Sequence, residues 1–208
     1  MSHIEQSWKY AEDLVVEDDV VAEARRHSLE VGVEPVTAAV GAQLALLAAA
    51  SGARSMIEIG TGLGVSGLCL FRGAPGATLT TIDREVDHQQ SARESYLRAG
   101  VAAARARLIT GRSRDVLPRM NESSYDLVLV DADPADVIEN VEHGLRLARP
   151  GGVVLVAHAL WRGSVANPAR RDAVTTGHRT LLGEVTTSPA VLAALSTAGD
   201  GLLQLVKR

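Results

Sequence analysis

Cysteine occurs once in the 208 residues, at Cys69. No internal disulfide can form, which excludes a secreted scaffold stapled by disulfides. Cys69 lies in the apolar run Ser66-Gly-Leu-Cys-Leu-Phe71, where a buried, inert thiol is expected in preference to a nucleophile. Aromatic residues make up only 3% and are scattered: Trp8, Tyr10, Phe71, Tyr96, Tyr125 and Trp161. They offer no platform on which single-stranded nucleic acid could stack. Positive charge is not in excess either, and a net charge of −4 gives no electrostatic reason to expect a nucleic-acid partner. Long hydrophobic runs are missing. The longest, Leu44 to Ala50, is too short to span a bilayer, and the first ten residues are too polar for a signal peptide. The expectation is a soluble, cytoplasmic protein with neither a nucleic-acid nor a membrane partner. Lysine is confined to Lys9 and Lys207, which reads as coding bias.

Hydrophobic residues reach 46% and charged residues 22%, an ordinary globular balance. Asp18-Asp19 can cap a helix to about Val31, with Val20, Val21, Ala24 and Leu29 as its apolar positions. Gly32 ends it and Pro35 prevents resumption. Thr37 can cap a second helix reaching Ser51-Gly52. After Gly52 the period changes, and short apolar runs alternate with helix-length segments. Strands are expected at Ser55–Ile59, Thr78–Ile82, Arg105–Thr110, Tyr125–Val130 and Val153–Ala157. Helices are expected at Ser66–Phe71, Val86–Ala99, Ser113–Met120, Pro134–Ala148 and from Asn167-Pro168 to about Leu182. Val191–Leu195 and Leu202–Val206 flank Gly199-Asp-Gly201 as a closing hairpin. Five alternating strands imply right-handed crossovers and a parallel sheet covered on both faces. The expected fold is α/β: a Rossmann-like, seven-stranded, mostly parallel sheet ending in an antiparallel hairpin. One domain spans residues 1–208, with 1–50 as a helical attachment and 51–208 as the core.

The strongest chemical signal is Glu58-Ile-Gly-Thr-Gly-Leu-Gly-Val-Ser66 at the carboxyl end of the first strand. Glycines there let the backbone turn tightly and approach a ligand, and ligands of open α/β sheets bind at this end. A plain strand-to-helix turn is the alternative. A dinucleotide fingerprint counted from Gly60 fails at Val65, and the frame Gly62, Gly64, Gly67 starts two residues late. The in-frame pattern is acidic-x-Gly-x-Gly-x-Gly. A carboxylate at that point repels a pyrophosphate but suits the ammonium and sulfonium of S-adenosylmethionine. Asp83, closing Thr81-Ile-Asp83, can accept both hydroxyl hydrogens of a ribose or cap the next helix. Gly111-Arg-Ser-Arg-Asp115 is placed to contact an adenine edge, or is an ordinary turn. Asp131 and Asp133 cap the fourth strand; capping of the following helix is the alternative for Asp133.

These motifs, taken in order, resemble the class I S-adenosylmethionine-dependent O-methyltransferases of the catechol and caffeoyl-CoA type, including their bacterial members. The resemblance runs from about Val33 to Arg208. It also rests on Tyr125-Asp-Leu-Val-Leu-Val-Asp-Ala-Asp133, Arg149-Pro-Gly-Gly152, Leu160-Trp-Arg-Gly-Ser-Val165 and Gly199-Asp-Gly-Leu202. It implies that Val36 contacts the methionine part of the cofactor and Glu58 holds its amino group, directly or through water. Gly60 and Thr61 supply backbone beside the cofactor, and Ser66 bonds its carboxylate at a helix N-terminus. Asp83 takes the ribose diol, Arg112 and Ser113 border the adenine, and Asp131 lies near the methyl-transfer centre. A homodimer is implied as well.

The catalytic positions depart from that pattern. The family's lysine base corresponds here to Pro134, and its metal-binding Asp-Asn pair to Ala157-His158. Mg²⁺ demands hard oxygen ligands, and of the three matching metal positions only Asp131 provides one. No Mg²⁺ requirement is therefore expected. His158 reads as a general base, as a histidine bonded to a cleft loop, or as a softer-metal ligand. The other histidines read as solvated surface. The expected activity is methylation of a hydroxyl on a small-molecule acceptor, with Asp131 and His158 as catalytic residues. A cofactor-binding protein without this chemistry, and a nicotinamide dehydrogenase, are the alternatives.

Overall fold

The computed structural model describes residues 3–208. Eight α-helices and seven strands occur among them: α1 (His3–Asp13), α2 (Asp19–Glu30), α3 (Ala38–Ala50), β1 (Ser55–Ile59), α4 (Val65–Gly73), β2 (Thr78–Asp83), α5 (Val86–Arg98), β3 (Ala106–Thr110), α6 (Ser113–Val116), β4 (Tyr125–Val130), α7 (Val137–Leu147), β5 (Ala148–Val156), α8 (Ala173–Thr187), β6 (Val191–Ser196) and β7 (Leu202–Lys207). The strands form one sheet in the order β3-β2-β1-β4-β5-β7-β6. Strands β1 to β5 run parallel, and β7 is antiparallel to both β5 and β6. The expected Rossmann-like sheet with its closing hairpin is thus the observed one. The chain builds outward from β1 through β2 to β3, then returns to lay β4 on the other side of β1. That reversal places a crevice at the carboxyl ends of β1 and β4.

Alternation along the strands divides the core. Met56, Leu127, Leu129 and Leu155 face a cluster with Leu44, Leu68 and Leu70 from α3 and α4. Ile57, Ile59, Val128, Val130, Val154 and Val156 face the opposite cluster with Val141, Leu181 and Val185 from α7 and α8. Each such fully buried aliphatic side chain contributes about 1.5–3 kcal/mol. Period-two patterning with apolar residues on both faces is what a sheet covered on both sides requires. Glu58 is the exception, a carboxyl on the Met56 side of β1.

Local chemistry sets the helix starts. Asp18 Oδ1 accepts from the amides of Val20 and Val21, both at 3.0 Å, and Thr37 caps α3 through the Val40 amide at 3.3 Å. Glu12 reaches from α1 to Thr37 Oγ1 at 2.7 Å and the Ala39 amide at 2.9 Å, pinning α1 to that same helix start. The start of β4 is tied similarly. Asp126 accepts from the amides of Arg54 and Ser55 at 2.8 and 2.9 Å and from Arg149 Nε at 2.6 Å.

Four expectations need correction. Helix α1 was not anticipated, because it buries no side chain and so shows no buried stripe. The helix at Pro134 begins as a 3-10 turn over Pro134–Asp136 and turns α-helical at Val137. Strand β5 starts at Ala148 and runs through the Pro150-Gly-Gly152 segment with a register shift against β4. Helix α8 starts at Ala173, capped by Asp172 through the Thr175 amide at 2.9 Å, and not at Pro168. Arg179 is the reason. Its guanidinium gathers the carbonyls of Ser164, Val165, Asn167 and Arg170, which holds 164–170 as a loop.

Candidate active site

The crevice between β1 and β4 opens into a cleft of about 740 Å³. Gly60, Thr61, Gly62 and Ser66 line its floor; Val36 and Glu34 one wall; Asp83, His88, Arg112 and Ser113 another; and Asp131 to Pro134 the end. Of the residues expected here, Val36, Gly60, Thr61, Ser66, Asp83, Arg112, Ser113 and Asp131 border this space. Glu58 does not.

Gly60 shows why the loop is glycine. Its φ is +96°, and a Cβ there would stand 1.8 Å from the Asp131 carbonyl oxygen. Backbone strain and a backbone clash both demand hydrogen at that position. The close approach seats the loop directly on the end of β4. Asp83 then holds the loop from the other side, its Oδ2 accepting from the amides of Thr61 at 3.1 Å and Gly62 at 3.0 Å. Its Oδ1 accepts from the Glu85 amide at 2.9 Å, but Glu85 and not Asp83 is the cap of α5, so the capping role does not fall to Asp83.

Glu58 lies a layer beneath. It is fully buried and accepts from Ser66 Oγ at 2.5 Å and Thr81 Oγ1 at 2.6 Å. Thr81 is in turn 2.6 Å from Thr61 Oγ1, to which Gln89 Nε2 donates at 2.8 Å. The hydroxyls thus tie β1, β2, α4 and α5 together under the glycine loop. Burial pushes the Glu58 carboxyl up to about 8, against the two hydroxyl donors that favour its charged form.

At the end of β4, Asp131 faces His158. His158 Nε2 is 3.6 Å from Asp131 Oδ1, and Nδ1 is 3.7 Å from Asp200 Oδ2. Each of the three side chains is about one-fifth exposed. Burial raises the Asp131 carboxyl above its ordinary value, and the neighbouring His158 opposes that rise. A second, small cavity touches the same place, lined by Asp131 to Pro134, Ala157, His158, Trp161 and His178. His178 is buried and stacks on Trp161 with ring centroids 5.5 Å apart, which corrects its reading as solvated surface. The signal was present: His178 follows Val174 by four residues and precedes Leu181 by three, on the buried stripe of α8. Asp200 and His88 were the other site residues missed. Cys69 is buried as expected, and burial pushes its thiol up to about 12.

Residues 10–208 match the family model described as O-methyltransferase. The chain belongs to the O-methyltransferase family. A protein of Mycobacteroides abscessus named as an O-methyltransferase is 42% identical over 203 residues, covering 97% of this chain and 94% of the relative. The O-methyltransferase TomG of Streptomyces achromogenes, solved with S-adenosylmethionine and involved in tomaymycin synthesis, superposes with a TM-score of 0.86 at 31% identity, over 100% of this chain and 99% of that one. An O-methyltransferase of Bacillus cereus solved with S-adenosylhomocysteine gives a TM-score of 0.85 at 26% identity, over 98% and 99%. In this O-methyltransferase the Ala157 and Pro134 side chains bring no donor atom to the seam between the two cavities. No group of three or more histidine, cysteine or acidic side chains able to hold a metal occurs among the described residues, and no described helix is long and apolar enough to cross a membrane.

Proposed function

We propose that this enzyme methylates a hydroxyl of a small-molecule acceptor from S-adenosylmethionine, with His158 as the base and without Mg²⁺. The observation that carries the reading is His158 Nε2 at 3.6 Å from Asp131 Oδ1, at the seam where the two cavities share Asp131 to Pro134. The large cleft fits the cofactor: a glycine cradle that a Cβ would fill, an acidic side chain at the end of β2, and a helix start beside Ser66 that favours an anion. The Ser66 amide at the helix start would meet the cofactor's carboxylate, with Val36 beside the methionine part. Gly60 and Thr61 would lend backbone, Asp83 would take the ribose diol, and Arg112 and Ser113 would border the adenine. Glu58, which does not border the cleft, would support the loop from beneath through Ser66 and Thr81.

When bound, the cofactor supplies a methyl group already activated by its sulfonium. The chain has to align the acceptor against it, and alignment is the large term, worth effective molarities of about 10⁵–10⁸ M. His158 Nε2 takes the hydroxyl proton as the oxygen becomes the nucleophile, a step worth roughly 10²–10⁴-fold. Asp131 stabilises the imidazolium that forms. The Mg²⁺ of related enzymes does not fit this donor set, since Asp131 alone offers a hard oxygen at the three matching positions. A cytoplasmic homodimer completes the reading. Its support is the exposed apolar surface of the N-terminal helices, with Ile4, Trp8 and Leu46 each more than half exposed. The test is an acceptor screen with and without EDTA. Turnover should survive EDTA and fall about a hundredfold or more in His158→Ala, while S-adenosylhomocysteine affinity holds. Activity lost in EDTA and restored by Mg²⁺ would sink the metal-free reading.

A further inference from the structure

We propose that Asp200, on the turn between β6 and β7, is a positioning residue that fixes the tautomer of His158 and leaves Nε2 bare toward the acceptor. The proposal rests on the reading of His158 as the base.

The imidazole stands between two carboxylates that are not equivalent. Asp131 borders the cofactor cleft, whereas Asp200 lines neither cavity. Asp200 is also anchored: its Oδ2 accepts from the Arg162 amide at 2.6 Å. Two backbone bonds lace its turn to the turn that carries His158, Leu160 N to Asp200 O at 2.9 Å and Ala159 N to Gly201 O at 3.0 Å. Contact between the turns is tight enough to require glycine. A Cβ on Gly201 would lie 2.6 Å from Leu160 Cγ and 2.9 Å from its amide nitrogen.

The backbone around His158 is itself held away from its preference. Among the described residues four non-glycines have positive φ, and three of them are His158 at 55°, Trp161 at 46° and Arg162 at 51°. Such conformations persist only where the surroundings impose them. Here the Asp200 turn imposes them from one side. On the outer side the Arg162 guanidinium pairs with Glu34 and lies over the Trp161 ring.

A neutral imidazole carries one N–H and one lone pair, and the partner of one nitrogen decides the state of the other. Asp200 stands 3.7 Å from Nδ1 and Asp131 3.6 Å from Nε2, so the two carboxylates compete for the one proton. Burial raises the Asp131 carboxyl by disfavouring its charged form and makes it the weaker claimant, which leaves the proton on Nδ1. Nε2 is then an acceptor facing Asp131 and the seam of the cavities. At 3.7 Å the Asp200 contact is longer than a hydrogen bond; contacts of this kind commonly tighten once substrate is bound. The remaining titratable side chains around the ring, Asp133 and His178, line the small cavity beside it and form no ion pair with it among the described residues.

The tautomer itself is read without an acceptor. Full-length protein labelled with ¹⁵N-histidine is examined by long-range ¹H–¹⁵N correlation at a pH where imidazole is neutral, with His158→Ala identifying the His158 signals. In the wild type His158 should show a protonated Nδ1 and a bare Nε2. Asp200→Asn keeps an acceptor oxygen and should keep the tautomer, whereas Asp200→Ala should lose it and give averaged shifts. Binding of S-adenosylhomocysteine, unchanged in both variants, reports that they fold. A protonated Nε2 in the wild type, or an unchanged tautomer in Asp200→Ala, overturns the proposal. Turnover separates the two readings. An unchanged rate in His158→Ala removes the base and Asp200 with it; a slow His158→Ala beside an unmoved tautomer in Asp200→Ala removes Asp200 alone.

Discussion

Replacing Glu58 by glutamine tests the buried network under the glycine loop. In the unfolded chain the carboxyl titrates near its ordinary 4.5, and in the folded protein near 8. Between those values the folded state holds one proton more than the unfolded state. The stability this group supports is therefore complete below about pH 4.5 and is lost as pH rises through about 8. The slope is about 1.4 kcal/mol per pH unit, so raising pH from about 5 to about 8 costs of order 4 kcal/mol through this group. Other carboxyls act in the opposite sense. Asp126 is raised by burial but lowered further by Arg149 and two amides, so it stabilises the fold as pH rises from the acid side. Comparing two variants cancels such background. Glutamine keeps the shape and cannot ionise, but it can accept through only one terminal atom, so the pair Ser66 and Thr81 loses one acceptor, a cost of about 1–3 kcal/mol near pH 5. Urea unfolding of cofactor-free protein at several pH values is the assay. The deficit of Glu58→Gln should shrink or reverse by about pH 8. Curves that stay parallel across that range would mean that Glu58 is ionised throughout, with its two hydroxyl donors outweighing burial.

Gly60→Ala should destabilise the protein by at least ~2 kcal/mol, through positive φ and the Asp131 clash, whereas Gly177→Ala in α8, where a Cβ meets nothing within 4 Å, should stabilise it by about 0.5–1 kcal/mol. Thermal melts of the pair check this, and equal effects would contradict the cradle argument. Light scattering at micromolar concentration should give twice the 21.9 kDa chain mass; a monomer mass would refute the homodimer.

The sheet was legible because its strands are short apolar runs punctuated by glycine, with the acid and glycines of 58–66 marking the end of β1. Residues whose role depends on tertiary placement were less so. Glu58 reads as a ligand-facing acid because it closes a strand, yet strand alternation turns it to the face away from Ile57 and Ile59, under α4. Asp200 reads only as a turn residue, since nothing local brings residues 158–162 against it. Asn167 does accept from the Ala169 amide at 3.0 Å, so the capping signal was real; Arg179, twelve residues on, decides that no helix follows. Pro134 and Ala157 do line the small cavity beside Asp131 and His158, the neighbourhood in which the resemblance put them.

The central claim is that the cleft over Gly60 binds an S-adenosyl cofactor through Asp83. Calorimetric titration with S-adenosylhomocysteine tests it most directly. A hydrogen bond to a charged acceptor is worth roughly 1.5–3 kcal/mol, so Asp83→Ala should weaken binding by about tenfold to a hundredfold. Because Asp83 also holds the Thr61 and Gly62 amides, the loss should lie toward the upper end. The wild type should bind S-adenosylhomocysteine and not NAD; heat from NAD alone, or from neither ligand, would contradict the account.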